Sequence, residues 1–244
     1  MRTYYEKFLA IFLVAFSTLL VGCDQMSTKP TTPVEGEQFK VLPSNLAVYR
    51  LPQVTEVFSL NCGHCKQMEA QVPKLESLID KKIGKVHITF NESAQIGAMI
   101  FYAAEMQLGK QPDHQMMLDL FSATQMGDGA TIHDKKQAID RAFESRGLVS
   151  PYNLSEEQKE QLFKALQVAE EITTAGEING VPTFIVNGKY EIITSGHEDI
   201  ESIANTINYL IKNNYLERNH DQNNLPYRCC HPSGLYDLPH MDQP

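Results

Sequence analysis

The chain has 244 residues and a formal net charge of −9, with 42% hydrophobic and 21% charged residues. This composition is typical of a globular protein with one domain of moderate size, or one domain with an insertion. The sequence has no long basic run, which argues against electrostatic binding to nucleic acid. A disulfide-scaffolded domain would spread its cysteines through the fold, whereas here they cluster at Cys23, at Cys62 and Cys65, and at Cys229 and Cys230.

Residues 1–22 are predicted to be a signal peptide, because a positively charged start precedes an apolar run shorter than the roughly 20 residues of a membrane span. The run ends in Leu20-Val21-Gly22-Cys23, which resembles the bacterial lipobox, whose cysteine is lipidated and becomes the first residue of the mature protein. An ordinary signal peptide with a chance cysteine is the alternative. A lipidated Cys23 would anchor the protein to a membrane, and Asp24 resembles an inner-membrane retention signal. The polar stretch 23–37 is predicted to be the lipidated cysteine and a flexible tether.

The segment 38–91 is predicted to contain two strands joined by a helix. The run 54–60 is rich in β-branched and aromatic residues and predicts a buried strand, and 86–90 predicts a second strand. Between them a helix should begin near Cys62, because apolar residues recur at helical spacing. Pro73 should kink or split this helix, and Gly84 should end it.

Residues 92–175 are predicted to be a block of helices that separates two groups of strands. The apolar pattern favours four helices, of which the second lies around 116–121. Sequences that resemble capping boxes should begin the third helix after Thr131 and the fourth after Ser155.

Strand signals return in the segment 176–215. The runs 183–186 and 190–193 flank Asn187-Gly188, the strongest short signal for a β-hairpin. A last helix is predicted over 198–212.

The motif Cys62-Gly63-His64-Cys65 lies where the first predicted strand meets the helix. Two intervening residues place both sulfurs on the first helical turn, close enough to bond. The unpaired N–H groups and the positive end of the helix dipole would stabilise a thiolate at Cys62, and His64 can add positive charge or a hydrogen bond. Half of a zinc site and an inert structural disulfide are the alternatives, but the strand before the motif and the helix after it favour redox chemistry.

A second motif, Val181-Pro182, lies just before the second group of strands. Its proline is compatible with a cis peptide bond, although proline is also ordinary at the first position of a strand. The run 179–190 reads Asn-Gly-Val-Pro-Thr-Phe-Ile-Val-Asn-Gly-Lys-Tyr and closely resembles the DsbA segment that carries the cis-proline of that family. The resemblance covers roughly 38–215. It implies an α/β protein with a thioredoxin fold and an inserted all-helical domain, in which the proline packs beside the active disulfide and the backbone before it pairs with substrate peptide.

Three charged positions match acidic and basic positions around the DsbA active site, namely Glu56, Glu69 and Lys85. The resemblance implies that they tune the pKa of the thiols and relay protons. Each of them could instead be a solvated surface charge. That alternative is weak for Glu56, because this residue lies within an apolar strand.

The residues between the two cysteines and the residue before the proline also bear on the direction of electron flow. Gly63-His64 resembles protein disulfide isomerase rather than the Pro-His that is usual in DsbA, and this dipeptide tunes the redox potential. Val181 resembles the oxidase DsbA, whereas related reductases and isomerases often carry threonine before the proline. The sequence contains no N-terminal dimerisation domain, so a monomer is expected.

The segment 216–244 is rich in proline and histidine and is predicted to be a poorly packed tail. It contains Cys229, Cys230 and His231, which are weak candidates for a soft-metal site because thiolate and imidazole suit copper(I) or zinc. A redox shuttle for the main pair is another hypothesis. The simplest interpretation is an exposed tail whose thiols pair with each other or with another chain.

The resemblance to DsbA implies a thiol:disulfide oxidoreductase that introduces disulfides into exported proteins in the periplasm. It implies no cofactor beyond the redox-active disulfide Cys62–Cys65. The expected partners are unfolded or reduced exported proteins and a quinone-linked membrane protein that reoxidises the pair. A reductase or isomerase on the same fold, a copper-handling lipoprotein and a non-catalytic binding module are the alternatives.

Overall fold

A five-stranded sheet lies at the centre of residues 32–223, the part of the chain that the computed structural model describes. Its strands are β1 (Phe39–Val41), β2 (Val54–Phe58), β3 (Ile83–His87), β4 (Thr183–Val186) and β5 (Tyr190–Ile192). Their order across the sheet is β1-β5-β4-β2-β3. Strands β2 and β3 are parallel, and the other neighbouring pairs are antiparallel. The parallel pair requires a crossover connection, which two helices provide.

Seven α-helices surround the sheet within the described residues. They are α1 (Gly63–Glu69), α2 (Val72–Ile79), α3 (Glu92–Leu108), α4 (His114–Thr124), α5 (Ile132–Glu144), α6 (Glu156–Ala175) and α7 (Ile200–Asn223). Helices α3 to α6 follow one another without a strand, so the inserted block is entirely helical. None of the helices between residues 32 and 223 has the combination of length and hydropathy that crossing a membrane would require.

The sheet separates two apolar clusters. The larger cluster packs residues of the sheet against helices α3 to α6 and includes Phe58, Phe101 and Phe121. The smaller cluster packs the sheet against α2 and α7. Successive side chains of a strand point to opposite faces, and accordingly β4 contributes Ile185 to the larger cluster and Phe184 to the smaller one. This arrangement confirms the predicted fold class, a thioredoxin fold with a helical insertion.

Local sequence signals predicted several element boundaries correctly. Asn187 and Gly188 have φ values of 55° and 66°, as the predicted two-residue hairpin requires. The predicted helix is split into α1 and α2. Pro73 lies in the first turn of α2, where its missing N–H costs little. Both predicted capping boxes are present, at Thr131 before α5 and at Ser155 before α6.

The predicted second strand was wrong in its position. Strand β3 comprises Ile83–His87 rather than 86–90, and Gly84, which was predicted to end the helical segment, lies within β3. A Cβ atom at Gly84 would come within 2.5 Å of the Pro52 ring. The glycine therefore permits close packing inside the strand rather than terminating a helix.

Both ends of the folded region differ from the prediction. Strand β1 was not predicted, because its three residues carry too short a pattern, and it forms by pairing with β5. The predicted tether overlaps the fold, since the backbone N–H of Gly36 donates to the carbonyl of Phe39 at 2.8 Å. Helix α7 continues to Asn223, beyond the predicted end at 212.

Several predictions fall outside the described residues. The signal peptide and the lipidation site Cys23 precede residue 32. The tail residues Cys229, Cys230 and His231 follow residue 223. These assignments stay predictions.

We expect Gly196→Ala to destabilise the fold. Its Cβ atom would overlap the carbonyl oxygen of Glu37 and lie 3.0 Å from the carbonyl carbon, so the backbone has to shift. Overpacking of this kind costs about 1–3 kcal/mol. Urea unfolding should show a loss of that size, whereas the control Gly127→Ala, whose Cβ would have nothing within 4 Å, should change stability by less than about 0.5 kcal/mol. Equal stabilities of the two variants would contradict the close contact.

Candidate active site

Cys62 and Cys65 form a disulfide bond at the beginning of α1. Cys62 is the N-cap residue, and its sulfur accepts a hydrogen bond from the backbone N–H of Cys65 at 3.1 Å. Cys62 is partly exposed, whereas Cys65 is completely buried. Because an attacking thiolate must reach a sulfur in line with the bond, Cys62 is the accessible target.

A cis-proline lies beside this disulfide. The Val181–Pro182 peptide bond is cis, and the Cys62 sulfur lies 3.7 Å from the carbonyl oxygen of Val181. The hydroxyl of Thr194 donates to the carbonyl of Pro182 at 3.0 Å. The two motifs, more than a hundred residues apart in sequence, therefore meet at one point.

The two residues between the cysteines occupy the first turn of α1. Gly63 and His64 are both exposed. The His64 imidazole can therefore approach a bound peptide or the Cys62 sulfur from the solvent side.

The turn before Cys62 is held by the inserted helical block. The Gln125 side-chain amide donates to the carbonyl oxygens of Leu60 at 2.8 Å and of Cys62 at 3.0 Å. The hydroxyl of Thr124, the last residue of α4, donates to the same Leu60 carbonyl at 2.9 Å. Sequence reasoning missed both residues, because nothing local marks a contact across more than sixty positions.

A buried histidine holds the same turn from the sheet side. His87 Nε2 accepts a hydrogen bond from the backbone N–H of Leu60 at 2.8 Å, and Nδ1 lies 2.7 Å from the carbonyl oxygen of Ile88. These partners require a neutral ring with its proton on Nδ1. Burial lowers the pKa of His87 from its ordinary 6.5 to about 4, although the Ile88 carbonyl opposes the shift. His87 was not predicted from the sequence.

Glu56, Lys85 and Glu69 form a buried ionic cluster next to α1. The parallel register of β2 and β3 pairs Glu56 with Lys85. The Lys85 ammonium contacts Glu56 Oε2 and lies 2.7 Å from Glu69 Oε2. All three side chains are at most 2% exposed, so the alternative of solvated surface charges is wrong for each of them.

The cluster contains one cation and two carboxyl groups. Burial raises the pKa of Glu56, even though the neighbouring Lys85 charge opposes the shift. Burial alone would lower the pKa of Lys85, but the carboxylates of Glu56 and Glu69 outweigh it, and the pKa is raised. Lys85 therefore stays charged, and Glu56 takes up a proton more readily than an exposed glutamate does.

His114, the first residue of α4, connects this cluster to the surface. Its Nδ1 lies 2.8 Å from Glu69 Oε1, and its side chain is 40% exposed. A cavity of about 480 Å³ opens there and is lined by Glu69, Lys85 and His114, among others. His114, too, was not predicted from the sequence.

Two further cavities each include a residue that is near Pro182 in sequence or hydrogen-bonded to it. One, of about 420 Å³, is lined by Phe90, Ile178 and Asn179, among others. The other, of about 460 Å³, is lined by Met68 of α1 and by Thr194, among others. Within residues 32–223, no group of three or more His, Cys, Asp or Glu side chains is arranged to hold a metal ion.

A sheet with this order, a disulfide at the beginning of the helix after β2 and a cis-proline before β4 define a thioredoxin-type protein. A family model described as thioredoxin matches residues 51–208, and the chain belongs to this family. Thiol:disulfide interchange protein DsbA of Salmonella typhimurium is 25% identical over 194 residues, which cover 72% of this chain and 87% of DsbA. Within the thioredoxin family, the chain groups with the DsbA proteins.

Solved structures of DsbA proteins share this fold. The structure of an oxidized DsbA1 variant matches with a TM-score of 0.60 and 25% identity, covering 79% of this chain and 100% of that chain. DsbA of Proteus mirabilis, solved with a non-covalently bound peptide PWATCDS, matches with a TM-score of 0.52 and 22% identity, covering 74% and 98%. The family predicted from the sequence is thus confirmed.

We expect His87→Gln to remove part of the acid sensitivity of folding. Because the pKa of His87 is about 4 in the folded protein and 6.5 ordinarily, the unfolded chain binds a proton here first as the pH falls. Stability is therefore lost from about pH 6.5 down to about pH 4, at up to about 1.4 kcal/mol per pH unit. Urea unfolding across this window should give a slope against pH that is shallower in the variant by about that amount.

Tyr102→Phe is the matched control. It removes the hydroxyl that accepts a hydrogen bond from the backbone N–H of His87 at 3.0 Å but leaves the imidazole in place. It should lower stability without altering the slope. Equal slopes in His87→Gln and the wild type would contradict a neutral, buried imidazole.

Proposed function

We propose that this protein is a thiol:disulfide oxidoreductase that introduces disulfides into exported proteins through the Cys62-Gly63-His64-Cys65 site. The observation that carries the proposal is the accessible Cys62 sulfur, at a helix N-terminus and 3.7 Å from the carbonyl of Val181 beside the cis-proline. The DsbA relatives are named for this exchange activity. No cofactor beyond the redox-active disulfide is needed.

The reaction proceeds by two thiolate attacks. A substrate thiolate attacks the Cys62 sulfur, a substrate–Cys62 bond forms, and the Cys62–Cys65 bond breaks with the electron pair going to Cys65. A second substrate thiolate then attacks the substrate sulfur of this mixed disulfide and releases the Cys62 thiolate. The substrate loses two electrons and gains a disulfide, and the cysteine pair is reduced.

The beginning of α1 favours this direction of electron flow. The backbone N–H of Cys65 donates to the Cys62 sulfur, and the positive end of the helix dipole points at the same atom. Both stabilise the Cys62 thiolate over the thiol. A stabilised reduced form makes the disulfide a stronger oxidant.

Substrate peptide would lie along the Val181 backbone, which the Cys62 sulfur approaches to 3.7 Å. Phe90 is 48% exposed and lines the first cavity. Ile96 and Met99, on the first turns of α3, are 50% and 42% exposed. An apolar surface of this kind suits unfolded segments better than folded, polar surfaces. Proteus mirabilis DsbA, which shares this fold, was solved with a non-covalently bound peptide, and this supports peptide as the ligand.

Glu56, Glu69 and Lys85 would tune the pKa of the cysteine thiols. Glu69 lies four residues after Cys65, and such residues are neighbours on one face of a helix. A charge held in a buried site acts on a nearby thiol with little screening. The cluster is therefore suited to set the redox potential.

The cellular setting is proposed from the N-terminal sequence and from the relatives. A signal peptide and a lipidated Cys23 would place a monomeric domain in the periplasm, anchored to a membrane. A quinone-linked membrane protein would reoxidise the cysteine pair. Release of the protein into the soluble fraction by a Cys23→Ser substitution would support the anchor.

The equilibrium constant with glutathione tests the direction of electron flow. Two results together would support an oxidase. The reduction potential would lie between those of DsbA and protein disulfide isomerase, about −120 and −180 mV, and the protein would oxidise a reduced dithiol peptide. A potential near that of thioredoxin, about −270 mV, would instead favour the reductase that Gly63-His64 leaves open. Failure of the oxidised protein to exchange with any dithiol peptide would overturn the proposal.

The two single-cysteine variants should behave differently. In Cys65→Ser, Cys62 should react with glutathione disulfide and keep the mixed disulfide, because no second thiol can displace it. In Cys62→Ser, the remaining thiol is completely buried and should react at least about 100-fold more slowly. Mass spectrometry against time measures both rates. Similar rates in two variants of similar stability would show that the assignment of the attacking sulfur is wrong.

We expect Glu69→Gln to make the disulfide more oxidising. The substitution removes a negative charge one helical turn from Cys65, so thiolates at the site are less disfavoured and the pKa of the Cys62 thiol falls. The equilibrium constant for exchange between the cysteine pair and glutathione should favour the reduced protein by about twofold to tenfold more than in the wild type. The absorbance of the Cys62 thiolate, followed against pH, should appear at lower pH.

Glu76→Gln is the control for that variant. Glu76 lines the same cavity but pairs with Lys82 and the backbone N–H of Ile83. It should leave the equilibrium constant within about 1.5-fold of the wild type. An equal shift in both variants would indicate a general charge effect rather than the buried cluster.

A further inference from the structure

Reduction of the disulfide creates a proton deficit at a buried atom. In the proposed reaction, the Cys65 sulfur leaves as a thiolate, yet Cys65 is 0% exposed. A buried, unpaired thiolate is costly. Cys65 therefore has to receive a proton that solvent cannot deliver directly.

Glu69 is the nearest acid in the helix. It lies one turn after Cys65 on the same face of α1, at a spacing that brings side chains within about 5–6 Å at Cβ. It is itself 1% exposed. Glu69 can pass a proton on to the Cys65 sulfur, but as a carboxylate it must first receive that proton from outside.

The two carboxylate oxygens of Glu69 have different neighbours. Oε2 lies 2.7 Å from the Lys85 ammonium, which also contacts Glu56 and is 1% exposed. Oε1 lies 2.8 Å from His114 Nδ1, and the His114 side chain is 40% exposed. Of these two contacts of Glu69, His114 is the exposed side chain and Lys85 is buried, so His114 is the one that can exchange protons with bulk solvent on behalf of Glu69.

His114 is held in place for this contact. It is the first residue of α4, whose N-cap Asp113 accepts a hydrogen bond from the backbone N–H of Met116 at 2.8 Å. The 480 Å³ cavity leaves the imidazole open to water. The other charged groups that line this cavity are Glu76, Lys82, Lys110 and Asp113.

We propose that His114 is the residue through which the buried site exchanges protons with solvent. It acts through Glu69, so it is a positioning residue for proton transfer rather than a contact of substrate, and the inference depends on the proposed exchange reaction. When Cys65 leaves, His114 Nδ1–H passes its proton to Glu69 Oε1, and the Glu69 carboxyl group passes a proton to the Cys65 sulfur and is again a carboxylate. His114 Nε2 takes one proton from water. One proton released when the substrate thiol ionised thus returns to Cys65, and the reverse steps remove it on reoxidation.

The test compares His114→Ala, His114→Gln and wild type in both directions of exchange. The forward rate is oxidation of a dithiol peptide by the oxidised protein, and the reverse rate is reduction of the peptide disulfide by the reduced protein. Because a proton path changes rates and not equilibria, both rates should fall by the same factor in His114→Ala, roughly tenfold or more. Imidazole added to the buffer should enter the opened cavity and restore most of the loss.

His114→Gln separates proton transfer from simple support of Glu69. Glutamine can donate a hydrogen bond to Glu69 but cannot exchange a proton, so this variant should stay slow. His133→Ala, which removes an exposed histidine on α5, should keep the wild-type rates and gain nothing from imidazole.

Each result decides a different question. An inactive wild type would overturn the proposed function itself. If the wild type is active, four results would overturn the role of His114. They are unchanged rates in His114→Ala, full activity in His114→Gln, no rescue by imidazole, and a changed equilibrium constant of exchange. Thermal unfolding of both His114 variants shows whether a slow variant is simply misfolded.

Discussion

The backbone of Leu60 is the point on which the active site depends. Its N–H donates to His87 Nε2, and its carbonyl accepts from Thr124 and Gln125. These bonds determine the path of the turn after β2 and therefore where Cys62 begins α1. A shift of this turn would separate the Cys62 sulfur from the Val181 carbonyl, and the proposed pairing with substrate peptide needs that approach.

The inserted helical block contributes to the chemistry as well as to the core. Helix α4 carries His114 at its first position and Thr124 at its last. One end contacts the buried ionic cluster, and the other holds the turn before the disulfide. A single rigid helix therefore joins the two parts of the site, so their separation is set by helix geometry rather than by a loop.

The ionic cluster is costly to fold and is explained best by function. Burying one lysine between two carboxyl groups requires desolvation of all three, and apolar side chains of similar volume are often at least as stable in such positions. In the proposed reaction, the same cluster would provide a fixed charge and a carboxyl group that passes a proton to Cys65. The raised pKa of Glu56, caused by its burial, reflects the cost of desolvating a charged carboxylate here.

The sequence by itself determined the features that depend on near neighbours. The cysteine spacing, the Asn187-Gly188 turn, the capping boxes and the break at Pro73 are each encoded in a few consecutive residues, and the two motifs with the order of elements indicated the family. Tertiary structure alone decided which charges are buried and which distant side chains meet the disulfide. Glu69 and Lys85 could equally have been surface charges, and nothing marked His87 or His114, because a contact across dozens of positions depends on strand register and helix packing, which short-range patterns do not record.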